Sequence, residues 1–218
     1  MSQYFIAFFD INNILLVVWS YPLSYIELIG TVFGLIAVWL ATRQKISSWL
    51  VGLINVSCFF WLFYQVQLYS GMFLQAFFFA TNIYGWFVWR KQIADNELPT
   101  ILTTTKRWSL VIITAVLTIT VGLIVQKLPS LYPEFFQKPA SQPYYDAFIA
   151  IASVSGQIML TRRISDNWFV WLVVNAISVL VFFRQGLYLL TIEYILFLLL
   201  SIKGIIDWRK TVLIRKTI

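Results

Sequence analysis

Long apolar runs, separated by short segments rich in charge or proline, dominate this chain. A membrane-crossing helix needs roughly 20 mainly apolar residues. Seven runs come close to that length or reach it: residues 25–42, 47–67, 71–89, 108–125, 145–161, 168–183 and 188–206. An eighth run, 4–19, carries Asp10, Asn12 and Asn13 near its middle and is followed by Pro22. Three polar side chains at mid-depth are costly in lipid. That run is therefore expected to be a peripheral helix on the membrane surface, with an eighth span as the alternative. It lacks the basic start of a secretory signal, so no cleavage is expected.

Composition supports the same solvent. The 218 residues are 60% hydrophobic, 18% aromatic and only 11% charged, against about 25% charged in soluble domains. The net charge of +7 would suit nucleic acid, but the basic residues fall in short clusters between apolar runs. That is the membrane pattern, and no nucleic-acid partner is expected. Arg43, Lys45, Arg90, Lys91, Lys106, Arg107, Arg162, Arg163, Arg209, Lys210, Arg215 and Lys216 share one side of a seven-span topology, while Lys127, Lys138 and Arg184 take the other. Twelve against three puts the first side in the cytoplasm, with the N-terminus outside and the C-terminus inside. The chain has no histidine and one cysteine, Cys58. No metal site, cofactor or disulfide framework is expected.

An internal repeat is visible at an offset of 119 residues. Thr42 and Trp49 recur as Thr161 and Trp168, and Leu68-Tyr69 recurs as Leu187-Tyr188. Gly85-x-x-x-Trp89-Arg90-Lys91 recurs as Gly204-x-x-x-Trp208-Arg209-Lys210, and Glu27 matches Asp146. Asn55 and Asn175 differ by 120, a slip of one residue. Each unit holds three spans, so two units joined directly would be inverted. The intervening span at 108–125 restores the direction. The expected fold is therefore all-α integral membrane, seven transmembrane helices in two parallel three-helix repeats joined by a linker helix (3+1+3). The boundaries are 1–22 for the N-terminal helix, 23–92 for the first repeat, 105–127 for the linker, 142–211 for the second repeat and 212–218 for a cytoplasmic tail. The linker's threonines can bond back to their own helix, so it is expected to face lipid.

Polar side chains at membrane depth are site candidates. Gln75, Asn82 and Trp89 are spaced by seven and share a helical face; Tyr194, Ser201 and Trp208 are their repeat equivalents. Trp168, Trp171, Asn175 and Ser178 form another stripe, matched approximately by Ser48, Gly52 and Asn55. Asp146, Ser153 and Gln157 share a face, paralleled by Glu27, Gly34 and Val38. Such amides also tie helices together, at about 0.6–2 kcal/mol each. Trp89 and Trp208, beside Arg-Lys pairs, read as interfacial anchors. Glu27 and Asp146 lie near the outer ends of their spans, within reach of water or headgroups. Glu193 lies deeper, where pairing with Arg184 or lining a pore entrance are the alternatives. Amides, hydroxyls and indoles with few charges suit a neutral or singly charged ligand bearing hydroxyls and a flat ring. A phosphorylated ligand would want core Arg or Lys.

Trp49-x-x-Gly52-x-x-Asn55, Leu68-Tyr69, Gln75 and Tyr84-Gly85-Trp86-x-x-Trp89 occur in order in the first half. Asn167-Trp168-x-x-Trp171-x-x-x-Asn175 and Gly186-Leu187-Tyr188 follow in the second. Together these resemble the PnuC family of bacterial nicotinamide riboside transporters, over about residues 25–210. The resemblance implies a fold akin to the SWEET transporters and a homotrimer in the inner membrane. It implies uptake of nicotinamide riboside, a form of vitamin B3, by facilitated diffusion, with trapping by cytoplasmic phosphorylation. Similar proteins move thiamine or riboflavin, which stay open as alternatives. The expected substrate-binding residues are Gln75, Asn82, Gln157 and Asn175 for ribose and carboxamide, Trp61, Trp171, Tyr188 and Tyr194 as aromatic walls, and Asn55 with them. An intramembrane enzyme would want a nucleophile–base pair or metal cluster, and the absence of histidine disfavours one. A pore or scaffold is the remaining class, and a pore would conduct far faster than a carrier.

Overall fold

The computed structural model describes residues 9–18, 21–65, 69–131, 134 and 142–217. A short antiparallel hairpin, β1 (Ile14–Val18) and β2 (Tyr21–Ser24), precedes seven helices among these residues. They are α1 (Tyr25–Thr42), α2 (Ser47–Gln65), α3 (Tyr69–Ala94), α4 (Thr104–Leu131), α5 (Pro143–Thr161), α6 (Asn167–Arg184) and α7 (Tyr188–Thr217). Five of the seven, α1, α2, α4, α6 and α7, are long and apolar enough to cross a membrane by length and composition.

The expected surface helix over 4–19 is corrected where it is described. Asp10 accepts from the backbone N–H of Asn12 at 2.9 Å, and the Asn13 N–H bonds the Asp10 carbonyl at 3.0 Å. This turn, built by the side chains that made a span implausible, stops a helix before Ile14. Residues 4–8 and 19 of that run lie outside the described residues. Gln65, at the end of α2, holds the segment from the other side. Its carbonyl accepts from the Ile11 N–H at 3.0 Å, and its amide donates to the Phe9 carbonyl at 2.8 Å.

α1 starts on a capping pair. The Ser24 hydroxyl accepts from the Glu27 N–H at 3.3 Å, and Glu27 sits three residues on, where a carboxylate complements the helix dipole. Glu27 is buried and accepts from the Tyr21 hydroxyl at 2.8 Å, so its contact is with protein rather than with water or headgroups. Burial, then the bond to Glu27, pushes the Tyr21 phenol well above its ordinary range. Asp146, in contrast, is exposed.

α1 packs on α2 and α2 on α3; α5 packs on α6 and α6 on α7. Contacts of α1 with α7 and of α3 with α5 close a seam between these two groups. α4 packs on α5, and only 6% of its most apolar stretch is buried. Val111, Ile112, Ile113, Val116 and Ile119 are open to the surroundings, as a lipid-facing helix requires.

The positions 119 residues apart occupy matching places. α1 and α5 both end on a threonine whose hydroxyl bonds three residues back, Thr42 to the Trp39 carbonyl and Thr161 to Ile158. The next residue but one turns left-handed in each case, Gln44 at φ 56° and Arg163 at φ 52°. That conformation costs a non-glycine residue roughly 1–2 kcal/mol. Gly85 lies against the Trp49 ring and Gly204 against the Trp168 ring, so closely that a Cβ at either position would collide.

Candidate functional site

The inward faces of α3, α5, α6 and α7 carry most of the polar stripes. Asn82, Ser153, Gln157, Asn175, Ser178 and Ser201 are all buried. On the α3–α5 side, the Gln157 amide donates to the Thr81 hydroxyl at 3.3 Å. Its neighbour Asn82 donates to the Phe78 carbonyl at 2.7 Å and lays its carboxamide oxygen against Gly52 of α2, where a Cβ would collide. On the α6–α7 side, the Asn175 amide donates to the Ser201 hydroxyl at 3.0 Å, and that hydroxyl donates to the Phe197 carbonyl at 2.9 Å. The Asn55 amide reaches the Gly30 carbonyl of α1 at 2.7 Å. The slip between Asn55 and Asn175 is therefore structural: the two amides serve different partners.

The aromatic set is dispersed. Trp171 lies against Gly156, with ring atoms 3.1 Å from where a Cβ would stand. Tyr194 packs between Phe182 and Phe197, at ring distances of 5.0 and 5.9 Å. Trp61 is 43% exposed and stacks on Tyr64, and Tyr188 is 55% exposed beside Phe183. Gln75 is half-buried two turns before Asn82. Hence the structure ties Gln157 to Thr81 and Asn175 to Ser201, sets Asn82 against Gly52, and leaves Trp61 and Tyr188 open.

Buried polar atoms are nearly always satisfied, so exceptions are informative. Two fall on the α6 stripe: the Trp168 indole N–H and the Ser178 hydroxyl have no partner among the described residues. They flank Asn175 along one face. The Trp49 indole N–H, the repeat equivalent of Trp168, is also buried without a partner. Two apolar hollows lie elsewhere, one lined by Ile26, Leu53 and Cys58, the other by Leu35, Trp39 and Leu199. Among the described residues no group of three or more Cys, Asp or Glu is placed to hold a metal ion.

Trp89 and Trp208 are not interfacial anchors. Both are fully buried, at 0% exposure. The Trp89 indole donates to the Leu160 carbonyl at 3.1 Å, and the Trp208 indole donates to the Ala41 carbonyl at 3.0 Å. These are equivalent bonds running in opposite directions across the seam, and a buried indole N–H needs such an acceptor. With Trp49 and Trp168 they form a four-tryptophan cluster, with ring separations of 5.2 to 5.8 Å. Sequence context misleads here because the acceptors are distant in the chain. Glu193 is buried, and among the described residues it forms no ion pair with Arg184.

Arg163 carries no motif and was not among the expected site residues. It is buried, donating to the Glu97 carbonyl at 2.6 Å and to Gln44 Oε1 at 3.0 Å. Burial pushes its guanidinium below its ordinary value, and the nearby Glu97 carboxylate opposes that.

Helices long and apolar enough to cross a membrane, packed around buried polar side chains, define a multi-pass α-helical membrane protein. The sequence model described as nicotinamide mononucleotide transporter matches residues 24–210. The nicotinamide riboside transporter PnuC of Escherichia coli is 35% identical over 233 residues, covering 92% of this chain and 93% of its own. The riboflavin/roseoflavin transporter RibM of Streptomyces davaonensis is 25% identical, covering 91% of each chain. The crystal structure of the vitamin B3 transporter PnuC matches with a TM-score of 0.66 at 26% identity, over 86% of this chain and 82% of that one. The chain belongs to the PnuC family of membrane transporters, which are not enzymes.

Proposed function

We propose that this protein takes up nicotinamide riboside across the bacterial inner membrane by facilitated diffusion, with phosphorylation in the cytoplasm trapping the product. The helices then act as two parallel repeats, 23–92 and 142–211, joined by the linker α4. The N-terminus lies outside, and the basic helix ends and C-terminus lie in the cytoplasm. The homotrimer rests on the family resemblance.

The observation that carries the reading is the α6 stripe. Asn175 lies between two buried donors that lack partners, the Trp168 indole and the Ser178 hydroxyl. A ligand with hydroxyls and a carboxamide would satisfy them. Asn82, Gln157, Asn55 and Gln75 supply further amides, and Trp171 and Tyr194 supply flat surface for a pyridinium ring. Trp61 and Tyr188 would contribute on approach, since both are exposed. No Lys or Arg belongs to these stripes, which favours riboside over mononucleotide.

Binding calorimetry on the purified full-length protein tests this, comparing nicotinamide riboside, nicotinamide mononucleotide, thiamine and riboflavin. The expected result is preference for the riboside, with the mononucleotide weaker by about 100-fold for an uncompensated buried phosphate. Tight mononucleotide binding, or preference for riboflavin, overturns it.

A further inference from the structure

We infer that Arg163 is a positioning residue for transport, the latch of an inner gate that seals the basic end of the seam. The inference rests on reading the chain as a carrier whose seam opens alternately to each side.

Among the hydrogen bonds described at this end, four join the two groups of helices and their turns directly. Trp89 reaches Leu160, Trp208 reaches Ala41, Arg163 reaches Gln44, and the Gln44 amide reaches the Thr211 hydroxyl at 2.9 Å. The Arg163–Gln44 bond joins residues separated by 119, the repeat offset itself, so it lies on the axis that relates the two halves. Its guanidinium also stands 5.7 Å from the Trp89 ring centre. The seam cannot open toward the basic side until these bonds part, and Arg163 touches both the axis and the tryptophan plug.

Two features mark the latch as releasable. Both axial residues hold the left-handed backbone that side chains disfavour. The partnering is also incomplete. Gln44 bonds Thr211, and the equivalent of that pair is Arg163 with Gln92. There Arg163 Nε and Gln92 Oε1 are both buried and unpartnered.

The test uses the full-length protein in inside-out vesicles, with Cys58→Ser and one new thiol, Ala41→Cys. Ala41 is 4% exposed and sits in the tryptophan cluster. A water-soluble maleimide should label it slowly. Arg163→Ala should speed labelling about tenfold, since it removes bonds from a charged donor; Arg163→Lys should restore part of the protection. Gln44→Ala, which removes only the acceptor, should give a smaller acceleration. Uptake by Arg163→Ala should lose maximal rate with little change in KM. Arg209→Ala, an exposed cation over Phe169, should leave labelling unchanged. If neither Arg163→Ala nor Gln44→Ala speeds labelling, or if Arg209→Ala speeds it equally, the latch is overturned. Labelling needs no substrate, so the gate and the riboside reading can fail separately.

Discussion

The turn between α1 and α2 and the turn between α5 and α6 are nearly the same backbone, yet they sit in different surroundings. In both, the N–H of the left-handed residue bonds three back, Gln44 to the Ala41 carbonyl and Arg163 to Leu160. Ser48 bonds Lys45, and the equivalent Asn167 bonds Ile164. Among the described residues only the second turn is strapped. The segment after α3 runs beside it: Thr100 donates to the Arg163 carbonyl at 3.0 Å and accepts from Ser165 at 2.8 Å. Asp166 completes the strap, accepting from the Leu102 N–H at 2.8 Å and from Arg107 at 2.6 Å. In the first turn the residues at the matching positions, Gln44 and Ser47, form no such strap. The two turns thus share a geometry set by closely packed glycines and by threonines that bond three residues back. The connector to α4 makes the two turns unequal at two positions, where the first has Gln44 and Ser47 and the second has Arg163 and Asp166.

The largest expected effects fall on what the two halves share. Gly204→Ala drives a methyl into the Trp168 ring, and Gly85→Ala does the same to Trp49. Both rings are buried in the tryptophan cluster and cannot yield. Each substitution should cost about 3 kcal/mol by overpacking, read as a fall in thermal midpoint of the detergent-solubilised protein. If one site tolerated alanine while the other did not, the two interfaces would not be equivalent.

Much of this was legible in the sequence. The spans follow from apolar length alone, and α1 begins and ends at the expected residues because Ser24 caps its start and Arg43 its end. α3 and α7 run further, to Ala94 and Thr217, because Arg-Lys pairs mark the edge of lipid without stopping a helix. The 119-residue offset was readable from Thr, Trp and Gly positions. What escaped were contacts decided at a distance. Trp89 looks like an anchor beside Arg90 until Leu160 is brought to it. Nothing local announces that Arg163 will be buried, because a left-handed arginine has no sequence signature.

A middle-sized effect should break the asymmetry. Asp166→Ala leaves the Leu102 N–H and the half-exposed Arg107 without their acceptor. The cost should be about 1.5–3 kcal/mol, nearer the lower figure because water screens Arg107. Ser47→Ala, at the matching position of the unstrapped turn, should change stability by less than about 0.5 kcal/mol. Hydrogen exchange at Thr100 and Leu102 should rise in Asp166→Ala alone. Equal losses at the two sites would mean that the strap contributes nothing particular to the second turn.

The smallest effect is the most discriminating. Trp89→Phe and Trp208→Phe each keep a ring in the cluster and delete one indole N–H. The acceptors are not orphaned, because the Leu160 carbonyl also takes the Arg163 N–H and the Ala41 carbonyl also takes the Gln44 N–H. Each loss should therefore stay near 1 kcal/mol, the ordinary net worth of a hydrogen bond. The rings are 5.8 Å apart, so the double variant should show coupling rather than simple addition. If the halves are equivalent at the gate, the two single losses should agree within about 0.5 kcal/mol in denaturation midpoints. A Trp89→Phe loss twice that of Trp208→Phe would mean that the strap, by fixing the α5 end against α3, has moved the gate's stability onto the second turn.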